Sequence, residues 1–201
     1  MVTALIWILA AFISGAIPYS VWLGRLALRT DIRRYGDHNP GAFNVMRAGG
    51  KAWGVLAILL DMLKGAVPVG AAWFWGGLSG GPLVAVSLAP ILGHAFSPFL
   101  NFKGGKAIAV TGGVWGGLTY GGATVVMALF LSGWYAVLAI EGWAVVLAMF
   151  SFLLFLLLTA PNDMLYFAVW SGSLLILAWK HRADLAQWPR LRPWVGKLIG
   201  Q

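Results

Sequence analysis

The chain has 201 residues, 60% of them hydrophobic and 10% charged, with a mean hydropathy of +0.83 and a formal net charge of +8. A soluble domain carries about 25% charged residues, so this chain cannot cover a water-facing surface and reads as an integral membrane protein. It has no cysteine, which excludes disulfides and thiolate metal sites.

A helix needs about 20 mostly apolar residues to cross a bilayer. Thr3 to Val21 holds no Lys or Arg, so the N-terminal stretch reads as a first span and not as a cleaved signal peptide. Span one is expected over Val2 to Leu23, kinked near Gly15 and Pro18. The longest polar stretch, Arg25 to Lys51, follows. Span two is expected over Trp53 to Trp75, and GGLSGGP (Gly76 to Pro82) as a turn. Span three covers Leu83 to Leu100, with Pro90 inside it. Ala107 to Ile140 is too long for one span, and Tyr120-Gly121-Gly122 is the natural break between spans four and five. Glu141 marks a turn, span six runs over Trp143 to Thr159, and Ala160 to Asp163 turns the chain. Span seven covers Met164 to Trp179, and a basic tail closes the protein. The expected architecture is an all-α integral membrane protein: one seven-transmembrane-helix bundle over residues 1–201.

The loops after spans one, three and five, with the tail, hold every Lys and Arg except Lys64. The positive-inside rule then places the N-terminus outside and the C-terminus in the cytoplasm. A count of five spans gives the same sidedness.

Polar groups gather on that cytoplasmic face. Asn39-Pro-Gly-Ala-Phe-Asn44 with Arg47 combines turn residues with donors suited to an anion. Arg25, Arg29, Arg33 and Arg34 are better read as lipid-headgroup contacts. In Phe102-Lys103-Gly104-Gly105-Lys106, glycines let successive N–H groups form an anion-binding nest, and the lysines add charge. A tight turn with snorkelling lysines is an equal alternative. Asp61 and Lys64 are three apart on one helix face inside span two, where a packing pair and a direct substrate role are both open. Lys180-His181-Arg182-Ala183-Asp184 suits phosphate binding or proton movement, although alone it reads as a basic flank. Glu141 reads as solvated or functional. His38, His94 and His181 show no ligand spacing, so no metal is expected. The basic residues are scattered among spans, which argues against nucleic acid. A non-enzymatic lipid or organophosphate transporter is a further option, but no internal repeat supports it.

Five motifs in order carry a resemblance. They are ISGAIPYSVWLGRL (Ile13 to Leu26), Gly36 to Lys51, LDMLKG (Leu60 to Gly65), Gly93 to Lys106, and His181-Arg182 after the last span. Together they resemble the acyl-phosphate-dependent glycerol-3-phosphate acyltransferases, the PlsY family, over nearly the whole chain. That resemblance implies a seven-span bacterial inner-membrane enzyme with a cytoplasmic active site, no metal and no cofactor. It moves a fatty acyl group from acyl phosphate to the sn-1 hydroxyl of glycerol 3-phosphate, giving lysophosphatidate and phosphate in phospholipid biosynthesis. The implied partners are those two substrates and membrane lipids, with the protein acting as a monomer. Arg47 and Lys106 match phosphate ligands, His181 matches the substrate-site histidine, and Asn39 and Asn44 match asparagines that shape the first loop.

Some positions depart from the family pattern as the resemblance gives it. Asp37 stands where a phosphate-binding serine is expected, Asp184 replaces a substrate-binding asparagine, and Phe43 replaces a threonine. Ala107 and Val110 replace a glycine and a threonine, and no serine stands at Glu141-Gly142-Trp143, where span six opens. Each added aspartate opposes a phosphate dianion unless nearby cations neutralise it. A related acyltransferase with a less anionic acceptor is therefore a second expectation.

Overall fold

The computed structural model describes residues 2–198, so Met1 and residues 199–201 of the expected domain lie outside the described residues. The described elements are helical, apart from one isolated bridge between Leu138 and Leu191. Helices α1 (Val2–Ala16) and α2 (Tyr19–Leu26) are the two halves of the expected first span, parted at Ile17-Pro18 because proline lacks an N–H to continue the ladder. Helix α3 (Ala42–Gly49) lies in the polar stretch, and α4 (Lys51–Phe74) follows after Gly50 at φ 88°. Helix α5 (Gly80–Ala95) begins earlier than expected, taking in the second half of the glycine-rich turn. Helices α6 (Ile108–Thr119) and α7 (Gly122–Val137) part at Tyr120 and Gly121, both with left-handed backbone, so the expected break holds. Helices α8 (Glu141–Thr159) and α9 (Met164–Lys180) follow, then the short α10 (Arg182–Leu185) and α11 (Pro193–Leu198). Among the described residues, four segments are long and apolar enough to cross a membrane, and α6, α7 and α9 are shorter apolar helices.

Two seams of small residues bring backbones together. A Cβ on Gly15 would run into the Pro90 carbonyl, and one on Gly93 into the Phe12 carbonyl, which locks α1 to α5. A Cβ on Gly113 would strike the Met62 carbonyl, and one on Gly117 would stand 2.6 Å from the Ala66 carbonyl oxygen, which locks α4 to α6. Such close approach supplies van der Waals packing where lipid offers no hydrophobic drive between helices. Trp115 and Phe152 fill the centre, edge to face at 4.8 Å.

The polar stretch contains α3, where the sequence suggested only turns. Val45 and Ala42 on α3 bury against Val21, Ile32 and Ala57 and form a second, smaller core. That contact turns Asn44 and Arg47 toward the end of the bundle. Asp31 caps the turn at Ile32–Arg34, accepting from the Arg33 backbone at 3.0 Å and pairing with its guanidinium at 2.6 Å. The Arg33 hydrogen bond holds the Asp31 carboxyl well below the usual carboxylate range. A lowered folded-state value contributes stability above the unfolded pKa and loses it as pH falls through the folded value. Asp31→Asn should therefore cost about 1 kcal/mol at pH 7, a modest figure for a partly exposed pair, and the cost should shrink below about pH 4. Unfolding midpoints in detergent at pH 7 and pH 3 measure it; an equal difference at both values refutes the assignment.

Candidate active site

The site lies where α3, the loop before α6, the start of α8 and the tail converge. Lys106 is its centre. Its Nζ stands 2.5 Å from Glu141, 3.0 Å from Asp37 and 3.6 Å from Asp184. Arg47 approaches Asp37 at 3.8 Å. Asn44 holds this group together: its Nδ2 donates to Asp37 at 3.0 Å and to the Asn39 carbonyl at 2.7 Å, while its Oδ1 accepts from Arg47 at 2.7 Å. Asn44 is buried, so these bonds fix the loop more than they bind a ligand. Burial opposes charge on Asp37, but hydrogen bonding and charge from Lys106 outweigh it, and the carboxyl sits below its usual range. Burial also works against the Lys106 ammonium, yet Glu141 and Asp37 outweigh it and raise its pKa.

His181 follows α9 directly and is 1% exposed. Its Nδ1 faces the Leu177 carbonyl at 2.8 Å, which makes Nδ1 the donor and leaves Nε2 as a lone pair. Burial holds its pKa below the ordinary imidazole value, so the ring is neutral at pH 7. The Nε2 has no partner, and neither has Asp184 Oδ2 a hydrogen bond.

The glycine loop departs from the expected nest. The Gly105 N–H donates to the His94 carbonyl at 3.1 Å, and the Gly104 carbonyl accepts from Lys180 at 3.0 Å. A Cβ at either glycine would strike His94. These glycines therefore let the loop lie flat on buried His94, which aims Lys106 at the carboxylates. Lys103 is exposed and stands apart from this cluster. Lys106 precedes α6 by two residues.

Sequence reasoning left Glu141 undecided, and the structure makes it the nearest partner of Lys106. Tyr135 steadies it, donating to Oε1 at 2.9 Å. Arg190 was missed altogether. The tail folds back so that the Ala139 N–H donates to the Arg190 carbonyl at 2.8 Å, and Arg190 lines the same polar pocket as Asp37, Arg47 and Lys106. No residue spacing signals that return. Beside the polar pocket an apolar groove runs between α4, α6 and α7, lined by Ile58, Met62, Ile108, Gly112 and Met127. Lys106 and Glu141 line both spaces.

A charged pocket joined to an apolar groove in a membrane-embedded helix bundle defines a class: proteins that bring a polar group against a lipid tail. The chain belongs, within that class, to the glycerol-3-phosphate acyltransferase family, whose profile matches residues 5–189. It is similar to a glycerol-3-phosphate acyltransferase of Actinobacillus succinogenes, 41% identical over 75% of this chain and 73% of the relative. One from Lacticaseibacillus casei is 35% identical over 92% of this chain and 87% of the relative. The fold matches the crystal structure of PlsY, an integral membrane glycerol 3-phosphate acyltransferase, in its glycerol 3-phosphate form. That match has a TM-score of 0.79 and 32% identity, covering 91% of this chain and 90% of that one.

Proposed function

We propose that the protein is a seven-span acyltransferase of the bacterial inner membrane, with its active site on the cytoplasmic face. It moves a fatty acyl group from acyl phosphate to the sn-1 hydroxyl of glycerol 3-phosphate and releases lysophosphatidate and phosphate. The observation that carries this reading is the shared wall of Lys106 and Glu141 between the polar pocket and the apolar groove. An acyl chain lying in the groove places its carboxyl-phosphate end at that wall. The loops rich in Lys and Arg, and the tail, support this sidedness.

The donor is a mixed anhydride and is already activated, so the protein mainly positions groups and stabilises charge. The acceptor hydroxyl attacks the acyl carbon, the acyl–oxygen bond to phosphorus breaks, and the departing phosphate takes the hydroxyl proton. Arg47 and Lys106 hold phosphate oxygens, Asp37, Asn39 and Asn44 shape the loop around them, and His181 and Asp184 face the acceptor. The protein acts as a monomer among membrane lipids. Purified protein with palmitoyl phosphate and glycerol 3-phosphate, in buffer containing divalent cations, should form lysophosphatidate and phosphate in equal amounts. No product where a PlsY relative turns over would overturn this function.

A second reading follows from one observation. Asp37, Glu141 and Asp184 surround Lys106, which favours an acceptor less anionic than a phosphate ester. Transfer to a neutral or aminoalcohol acceptor, with none to glycerol 3-phosphate, would select it.

A further inference from the structure

We propose that Glu141, His181 and Asp184 form a divalent-cation site, which lets this acidic pocket hold the phosphate of its acceptor. The inference rests on the reading that a phosphate ester binds beside Arg47 and Lys106.

One ligand atom from each of the three residues lies within 4.8 Å of the other two. Ligand atoms around one small divalent ion at about 2.0–2.2 Å stand roughly 3 to 4.4 Å apart, so a closure of about half an ångström completes the set. The histidine is prepared as a ligand. Its Nδ1–H is committed to the Leu177 carbonyl at 2.8 Å, and its buried, unpartnered Nε2 offers a lone pair. Metal-ligating histidines almost always donate their other ring N–H in this way. Asp184 Oδ2 is likewise buried and meets only Lys106, at 3.6 Å. Tyr135 fixes one oxygen of Glu141, and the other accepts from Lys106 at 2.5 Å, so an ion at the cluster takes that oxygen over from the ammonium. Packing built the closeness in: a Cβ on Gly142 would stand 2.7 Å from Asp184 Cβ and 3.1 Å from His181 Cβ. Glycine there lets the start of α8 press against the tail.

Charge supplies the need. Asp37, Glu141 and Asp184 bring three negative charges against Lys106, Arg47 and Arg190, with His181 neutral, which leaves the pocket with no net positive charge for an anion. A phosphate dianion would take the pocket to −2. A divalent cation returns it to neutrality and offers phosphate oxygens a direct ligand position. Lys106 stays paired with Asp37 at 3.0 Å and turns its remaining donors to the phosphate. One imidazole with two carboxylates suits Mn²⁺, Fe²⁺ or Zn²⁺ better than Mg²⁺ or Ca²⁺. The histidine spacing in the sequence gave no sign of such a site, because the ligands come from α8, the end of α9 and α10.

Mn²⁺ is the probe. Detergent-purified protein is titrated with Mn²⁺ and the free-ion electron paramagnetic resonance signal is followed. The expected result is one ion per chain, bound at least about tenfold more weakly by Glu141→Gln and by Asp184→Asn. Both changes are nearly isosteric, and the rise in unfolding midpoint on adding Mn²⁺ gives a second readout that each should diminish. Transfer to glycerol 3-phosphate should stop with chelator and return with Mn²⁺. Asp37→Ser with Asp184→Asn, which removes two of the three negative charges, should transfer without the ion. Wild-type binding no tighter than in Glu141→Gln, or transfer indifferent to chelator, overturns the site and leaves the acyltransferase intact. Site-dependent Mn²⁺ binding with no transfer to glycerol 3-phosphate under any ion upholds the site and overturns the acceptor.

Discussion

Lys106→Ala should lower turnover by at least about 10³-fold, at the upper end of what one preorganised charge contributes to a transition state. Lys106 is the cation shared by the polar pocket and the apolar groove, and three carboxylates converge on it. On the proposed mechanism, its removal takes away the cation that meets charge developing on the departing phosphate. It also leaves Asp37, Glu141 and Asp184 facing one another, which repels the phosphate before any chemistry begins. Both effects push the same way, so kcat and kcat/KM should fall together. Arg47→Ala should differ. Arg47 is half exposed and holds Asp37 only at 3.8 Å, so it contributes mainly to binding, and KM should rise about tenfold with a smaller change in kcat. Initial rates of phosphate release at varied glycerol 3-phosphate separate the two patterns. Lys106→Ala with near-normal turnover would refute its central role. An unfolding midpoint close to wild type shows that the loss is chemical, since the loop's seat on His94 does not involve the Lys106 side chain.

Much of this arrangement was legible in the sequence, and the reasons for the misses are physical. Apolar run lengths located the helices because a bilayer imposes one length scale on them. Tyr120-Gly121 was a secure break because two consecutive left-handed residues end a helix. Helix α3 escaped because its eight residues are too short for a clear period, and Gly, Asn and Pro beside it signal turns. Arg47 and Lys106 were found through their motifs, but the partners of Lys106 were not. Glu141 is 35 residues away, and only the packing of α8 against the tail brings it within reach. The glycine loop shows the limit of residue type as a guide. Its glycines suggested donors for an anion, whereas their backbone groups are committed to His94 and Lys180 and their lack of side chain is what matters. Asp37 and Asp184 were recognised as foreign to a phosphate pocket, and the structure places both at the same ammonium.

The sequence left a packing role and a substrate role equally open for Asp61 and Lys64; Asp61 borders the apolar groove, and the bonds of the pair favour packing. Their side chains are 3% and 1% exposed and meet at 2.7 Å. Lys64 also donates to the Ile17 carbonyl at 3.0 Å. That carbonyl lies at the break before Pro18, where it also accepts from the Tyr19 N–H at 3.1 Å in a tight turn, so Lys64 gives it a second, charged donor. Ser20 donates to the second oxygen of Asp61 at 3.0 Å. The pair thus ties α4 to the broken first span. Asp61→Ala should destabilise the protein by about 3–5 kcal/mol, because it strands a buried ammonium. Asp61→Ala with Lys64→Met should cost less than Asp61→Ala alone, because the stranded charge goes with its partner, the Ile17 carbonyl keeps the Tyr19 N–H, and the Ser20 hydroxyl loses only a neutral-donor bond. Unfolding by sodium dodecyl sulfate titration in mixed micelles, run as a double-mutant cycle, measures both costs. A pair that served substrate would give the opposite pattern: Asp61→Ala would fold within about 1 kcal/mol of wild type and lose turnover, and the double substitution would restore nothing.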